Sequence, residues 1–148
     1  MWNSKKSINL SLVCVYVFMV IFVLLEIFAF PISDFYVEFL NRAPEMKQVL
    51  IISIYACLLP VGYALILLYK LLCSIKNDQI FTDKNIVRLR HLSWCCYVVA
   101  VVCIVCGIKC APYFILAPMA AFAGLILRVV KNACQRAKEL QDENEMTI

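Results

Sequence analysis

The chain has 148 residues, of which 64% are hydrophobic and only 16% are charged. Soluble domains carry about 45–50% apolar and about 25% charged residues, so this composition excludes both an ordinary water-soluble fold and a disordered chain. The net charge of +4 is too modest for a nucleic-acid-binding protein. We therefore expect a small integral membrane protein that forms one domain over residues 1–148.

Four stretches without Asp, Glu, Lys or Arg define the predicted helices. They cover residues 7–25, 48–69, 92–108 and 110–127. Crossing about 30 Å of hydrocarbon takes about 20 helical residues, so each stretch suffices once its flanks are included. Because these runs are continuously apolar, they favour helices over the alternating strands of a β-barrel.

The sequence therefore predicts an all-α, integral membrane four-helix bundle. Its spans are expected at about 8–30, 49–71, 91–108 and 112–130. A cytoplasmic tail at 131–148 should continue the fourth helix and fray from residue 141.

The distribution of basic residues predicts the orientation of the bundle. Lys and Arg are enriched in the cytoplasmic loops of membrane proteins. The side that holds both termini and the loop between the second and third spans carries eleven of the fourteen basic residues. The other side carries Arg42, Lys47 and Lys109. We expect both termini in the cytoplasm and the protein in the cytoplasmic membrane.

The first loop is predicted to be a short amphipathic helix. Pro31 should end the first span, and Ser33 is a candidate N-cap for the helix that follows. Phe35, Tyr36 and Phe39 recur at helical spacing, so their aromatic rings would lie at headgroup level. A resting place for the loop on the membrane surface is the simpler interpretation, and a ligand-binding lid is the alternative.

Glu26 is the only acidic residue inside a predicted span. An ionisable side chain in the bilayer is a functional candidate by default. Lys109 should lie at a similar depth, which predicts an intramembrane polar pair between Glu26 and Lys109. The alternative function is a small-solute carrier subunit that uses Glu26 as a proton or substrate site.

The loop after the second span is predicted to extend the third helix into the cytoplasm. Thr82 is a suitable N-cap, and Asp83 in the first turn would oppose the helix dipole. Lys84 and Arg88 are four residues apart and can face anionic headgroups together. The alternative is a docking surface for a cytoplasmic partner. Its candidate contact residues are Phe81, Thr82, Asn85, Arg88 and Arg90.

This loop and the C-terminus resemble a known family. The residues that carry the resemblance are Phe81-Thr82 with Asn85, Leu89 and Arg90, and the ending 140–148, with Leu, an acidic pair and Met-Thr-Ile. They are similar to the bacterial membrane family called domain of unknown function 2975. Asp78-Gln79 departs from the family, whose members usually carry a glycine before the phenylalanine. The resemblance implies four spans and no established activity, with members that often accompany small helix-turn-helix regulators.

The nine cysteines raise two chemical alternatives. Cys103 and Cys106 form a CxxC near the outer end of the third span, as in membrane thiol oxidoreductases that pass electrons to a quinone. The pair lies in the middle of an apolar helix and no second cysteine pair exists in the first loop, so packing is the simpler interpretation. A metal site is the second alternative. Its ligands would be Cys73, His91, Cys95 and Cys134, which lack a compact motif.

Small residues in the fourth span predict close helix packing. Ala117, Ala121 and Gly124 have the spacing that lets another helix approach, either the third span or a second copy of the chain. With no catalytic motif, no cofactor and no assigned metal site, we expect a non-enzymatic interaction or regulatory component. Its expected partners are the lipid bilayer and a membrane or cytoplasmic protein, with a homo-oligomer left open.

Overall fold

A computed structural model describes residues 4–41 and 43–147, which form five helices. They are α1 (Ser4–Ile27), α2 (Ala29–Phe39), α3 (Glu45–Lys76), α4 (Asp83–Gly107) and α5 (Pro112–Met146). Helices α1, α3, α4 and α5 are long and apolar enough to cross a membrane, which confirms the predicted all-α fold with four spans. Arg42, which entered the predicted charge asymmetry, lies outside the described residues.

All four spanning helices are longer than the hydrocarbon core of about 30 Å, and α3 and α5 exceed it most. With about 1.5 Å of rise per residue, the 32 residues of α3 extend about 48 Å and the 35 residues of α5 about 52 Å. The fraying expected from residue 141 is wrong, because α5 continues to Met146. Helix α4 begins at Asp83 with Thr82 at the N-cap position, as the loop sequence predicts, but the Thr82 hydroxyl makes no capping hydrogen bond.

The first helix ends earlier than predicted. The break between α1 and α2 falls at Phe28, and Pro31 lies inside the first turn of α2. A proline has no N–H to donate, and its ring clashes with the carbonyl four residues earlier, which here belongs to Ile27. The prediction that Ser33 caps a helix is also wrong, since its hydroxyl donates to the Ala29 carbonyl at 2.7 Å within α2.

Helices α4 and α5 form a tight hairpin. Gly107 ends α4, and the ring of Phe114 lies 3.2 Å from where a Cβ at this glycine would be. Gly124 lies equally close to α4. A Cβ at this glycine would be 3.2 Å from the Cys96 Cβ and 3.1 Å from the Tyr97 ring. Ala117 and Gly124 are both buried, so the small residues of α5 accommodate α4 of the same chain.

The bundle is arranged as a row of helices rather than as a closed ring. Helix α5 packs on α4, α4 on α3, and α3 on α1 and α2. Within the described chain, α4 is the most buried helix, with ten buried residues. Helices α1 and α5 make no direct packing contact, and a cavity occupies the space between them.

Candidate functional site

The C-terminal ends of α3 and α5 and the N-terminal end of α4 meet at one end of the bundle, which we call the basic end. Its basic side chains are Lys70, Lys76, Lys84, Arg88, Arg90, Arg128, Lys131, Arg136 and Lys138. The opposite end holds α2 and the turn between α4 and α5, where the Tyr36 hydroxyl lies 3.9 Å from the Cys110 sulfur. Two features of the molecule are candidate functional sites, a polar cluster at the basic end and an open cavity between α1 and α5.

Asn85 is the centre of the polar cluster and is only 2% exposed. Its amide nitrogen lies 2.7 Å from the Gln79 carbonyl, 3.0 Å from the Ser74 hydroxyl and 3.2 Å from the Ile80 carbonyl. Its amide oxygen accepts a hydrogen bond from Arg88 at 2.9 Å. One buried side chain thus fixes the α3–α4 loop to the first turn of α4.

The α3–α4 loop begins with a helix-ending turn that normally uses glycine. The Gln79 amide donates to the Ser74 carbonyl at 3.1 Å, and the Asp78 amide donates to the Ile75 carbonyl at 3.1 Å, which together form a Schellman motif. Asp78 occupies its left-handed position with a φ of 58°. Glycine adopts this conformation without a steric penalty, so Asp78 occupies a position that ordinarily favours glycine.

The burial of Asn85 revises the predicted contact surface. Asn85 is enclosed by its own loop and cannot meet a partner in this conformation. Arg88 is half-buried and donates a second hydrogen bond, at 3.2 Å, to the Lys70 carbonyl. Phe81 is 40% exposed and Arg90 is exposed, whereas Thr82 is half-buried. Of the five predicted contact residues, Phe81 and Arg90 therefore have side chains that are open to a partner.

The end of α5 is attached to the start of α4 by an ion pair that the sequence did not reveal. The Lys138 ammonium lies 2.5 Å from the Asp83 carboxylate. Lys138 is well beyond the apolar part of α5, and the hydrogen bond to Asp83 raises the pKa of its ammonium. The sequence predicts for Asp83 only a favourable interaction with the dipole of its own helix. The contact with Lys138 could not be predicted without the length and position of α5.

The cavity between α1 and α5 has a volume of about 470 Å³. It is lined almost entirely by apolar side chains. The groups that can take part in chemistry are Glu26, Ser53, Cys57, Cys103 and Tyr113. These residues come from α1, α3, α4 and α5, and no sequence motif links them, so sequence reasoning identified Glu26 and Cys103 but not the other three.

Glu26 lines this cavity, and one of its carboxyl oxygens is unsatisfied. Its Oε2 is buried and has no hydrogen-bond partner. The predicted pair with Lys109 is not formed, since the ion pairs found in residues 4–41 and 43–147 join Lys47 to Asp34 and Lys138 to Asp83. Lys109 is exposed at the hairpin turn. A buried carboxyl oxygen without a donor is costly in a low-dielectric interior.

The Ser53 and Tyr113 hydroxyls of the cavity are hydrogen-bonded to each other. The Ser53 hydroxyl donates to the Leu50 carbonyl at 2.8 Å and lies 2.5 Å from the Tyr113 hydroxyl. Because the Ser53 proton is used on Leu50, the Tyr113 hydroxyl is the donor in this second bond. Neither hydroxyl donates to Glu26.

The cysteines of the predicted redox pair are free and buried. Cys103 is 5% exposed and Cys106 is 9% exposed. A thiol that exchanges with a disulfide must be reached by its partner, and Cys103 borders the cavity whereas Cys106 does not. Both side chains fill space in the packed face of α4, as small apolar residues do.

The single histidine of the sequence, His91, lies beside Tyr63. The His91 Nδ1 lies 3.3 Å from the Tyr63 hydroxyl, and the two rings are 6.3 Å apart. Cys73, His91, Cys95 and Cys134 do not form a metal site, because no group of three or more such ligands comes together in the described part of the chain.

The fold defines a class of all-α proteins with four helices that are long and apolar enough to cross a membrane. The family described as protein of unknown function, DUF2975, matches residues 6–148, and the chain belongs to that family. The match covers nearly the whole chain, including the loop and the C-terminal motif that carry the resemblance. No curated protein and no solved structure matches the chain.

Proposed function

We propose that this protein is a non-enzymatic interaction component of the bacterial cytoplasmic membrane, which binds a protein partner through the basic end. The observation that carries the proposal is the set of hydrogen bonds and the ion pair that connect the helices at that end. Asn85 holds the loop and the Asp83–Lys138 pair holds α5, while apolar side chains beside them stay exposed. Such a surface is ordered before a partner arrives, which lowers the entropy cost of binding.

One face of α4 supports this proposal. Asp83, Val87 and Arg90 are spaced at four and then three residues, so they lie on the same side of the helix. Val87 is 42% exposed, and Arg90 is also exposed. We call Phe81, Val87 and Arg90 the partner surface. Its mixture of apolar side chains and an arginine fits a partner that has an apolar patch beside a carboxylate.

Cross-linking at the partner surface tests the proposal. A photoreactive amino acid placed at Val87 should form a protein adduct in cell membranes, and an additional Arg90→Glu substitution should abolish it. The matched control carries the same photoreactive group at Phe39, which is 75% exposed at the opposite end. Adducts with lipid alone at Val87, or a protein adduct that survives Arg90→Glu, would overturn the proposal.

The proposal also requires the basic end to face the cytoplasm. The support for this is the excess of Lys and Arg at that end, which retains membrane-protein loops in the cytoplasm. A fluorescent protein fused after the C-terminus should therefore be bright, and alkaline phosphatase fused at the same site should be inactive. Active phosphatase there would place the partner surface outside the cytoplasm and refute this topology.

A further inference from the structure

An open recess at the basic end is formed by polar side chains of the α3–α4 loop and its flanking helix ends. It has a volume of about 490 Å³ and is lined by Ser74, Gln79, Thr82, Asp83, Lys84 and Arg88. The Asp83 carboxylate is already paired with Lys138. Lys84 is exposed and takes part in neither of the ion pairs found in residues 4–41 and 43–147. The recess therefore presents positive charge that the described chain does not neutralise.

Arg88 is held in place while part of its guanidinium group stays available. Its hydrogen bonds to the Asn85 amide oxygen and to the Lys70 carbonyl both come from Nη1. Its Nη2 and Nε form no hydrogen bond with any described residue. These two nitrogens lie along one edge of the guanidinium, and such an edge binds two phosphate oxygens side by side. Because Nη1 already fixes the side chain, less conformational entropy is lost when a phosphate binds.

A mostly apolar groove continues from the recess along the same side of α4. Arg88, His91, Cys95 and Val98 follow one another at intervals of three or four residues, which places them on one side of the helix. The groove has a volume of about 270 Å³ and is lined by Pro60, Tyr63, His91, Trp94, Cys95 and Val98. The stretch of α4 without charged residues begins at residue 92. Arg88 is therefore about 6 Å and Lys84 about 12 Å beyond it along the axis, beside the lipid headgroups.

We infer that the recess and the groove together bind one anionic phospholipid, with its phosphate at Lys84 and Arg88 and an acyl chain along Trp94 and Val98. Charge complementarity selects the headgroup, since a zwitterionic lipid would bring its own ammonium close to Lys84. The groove selects a lipid over free phosphate, because a soluble anion would leave the apolar side chains uncovered. The inference does not rest on the proposed function, whose partner surface lies on another side of α4.

Quenching of Trp94 fluorescence tests the inference. The sequence has two tryptophans, so a full chain with Trp2→Phe reports on Trp94 alone, which is 57% exposed. This protein is placed in phosphatidylcholine vesicles in which a fraction of the lipid is either phosphatidylglycerol or phosphatidylcholine with brominated acyl chains, which quench tryptophan on contact. We expect brominated phosphatidylglycerol to bind at least about tenfold more strongly than brominated phosphatidylcholine, because its phosphate gains charge-assisted hydrogen bonds.

Charge reversal on two sides of α4 provides the matched variants. Lys84→Glu should reduce this preference to about one, whereas Arg90→Glu makes the same change of charge on the partner surface and should keep the wild-type preference. Lys84 and Arg90 are both exposed, so neither substitution removes a buried contact. The two variants also separate this inference from the proposed function, which requires Arg90. Inorganic phosphate, compared with sodium chloride at equal ionic strength, should leave the quenching by phosphatidylglycerol unchanged.

Three results would overturn the inference. The first is equal quenching by the two brominated lipids. The second is a wild-type preference in Lys84→Glu, or an equal loss of preference in Lys84→Glu and Arg90→Glu, which would identify a general attraction of the basic end to anionic membranes. The third is reversal of the quenching by inorganic phosphate, which would identify a site for soluble phosphates.

Discussion

Replacing Asn85 by alanine should weaken the basic end more than any other single polar substitution there. The two amide hydrogens make two hydrogen bonds at a time, each contributing about 1 kcal/mol, and the bond from the Arg88 guanidinium contributes about 1.5–3 kcal/mol. Arg88 keeps its bond to the Lys70 carbonyl, and Ser74 keeps its bond to the Gln79 carbonyl. We therefore expect a loss of about 3.5–5 kcal/mol in the free energy of unfolding.

The assay is equilibrium unfolding in mixed micelles of dodecyl maltoside and SDS, followed by the reaction of buried cysteines with a fluorogenic maleimide. Asn77→Ala is the control, because Asn77 is exposed in the same loop. Asn85→Asp keeps the acceptor for Arg88 but has no N–H donors, so it should destabilise the protein at least as much as alanine. A loss of less than about 1 kcal/mol for Asn85→Ala relative to the control would refute the assigned role of this side chain.

Three further predictions follow from the packing and the turns. Asp78→Gly should be more stable than Asp78→Ala by about 1 kcal/mol in the same unfolding assay, and equal stabilities would contradict the left-handed turn. Gly124→Val should destabilise the α4–α5 hairpin by about 1–3 kcal/mol, whereas Ala123→Val, on the exposed side of α5, should be neutral. Because the folded-state pKa of Lys138 is raised, its pair with Asp83 should contribute stability at neutral pH and lose that contribution as the pH rises above about 10.5. Lys138→Gln should abolish this alkaline loss, and an unchanged pH profile would count against the pair.

Charge spacing was sufficient to predict the spanning helices. A stretch without ionisable residues must either cross the bilayer or be buried, and residues 110–127 follow the third stretch so closely that only a hairpin can connect them. The start of α4 could also be predicted, because a threonine followed by an acidic residue is a local pattern typical of helix N-termini, although the Thr82 hydroxyl makes no capping bond. These features depend on neighbours in sequence, so the sequence contains their cause.

Other features depend on contacts between distant segments. The helix break at Phe28 arises from a proline three residues later, and the sequence alone did not indicate on which side of Pro31 the chain would bend. The sequence predicts Asn85 as a partner contact, because sequence alone does not distinguish an exposed asparagine from a buried one. The burial of Asn85 depends on the conformation of the loop around it. The cavity needs the placement of four helices, so Glu26 could be singled out before its surroundings were known.

Helix α5 runs without a break from the cavity to the basic end. Met119 and Ala120 line the cavity, and Lys138 on the same helix holds Asp83 about 28 Å further along the axis. No proline interrupts the segment between Ala120 and Lys138. A tilt of about 5° about the cavity would move the Lys138 end by about 2.5 Å, which is comparable with the length of the ion pair itself. Helix α5 is therefore one continuous element that connects the cavity to the Asp83–Lys138 pair beside the partner surface.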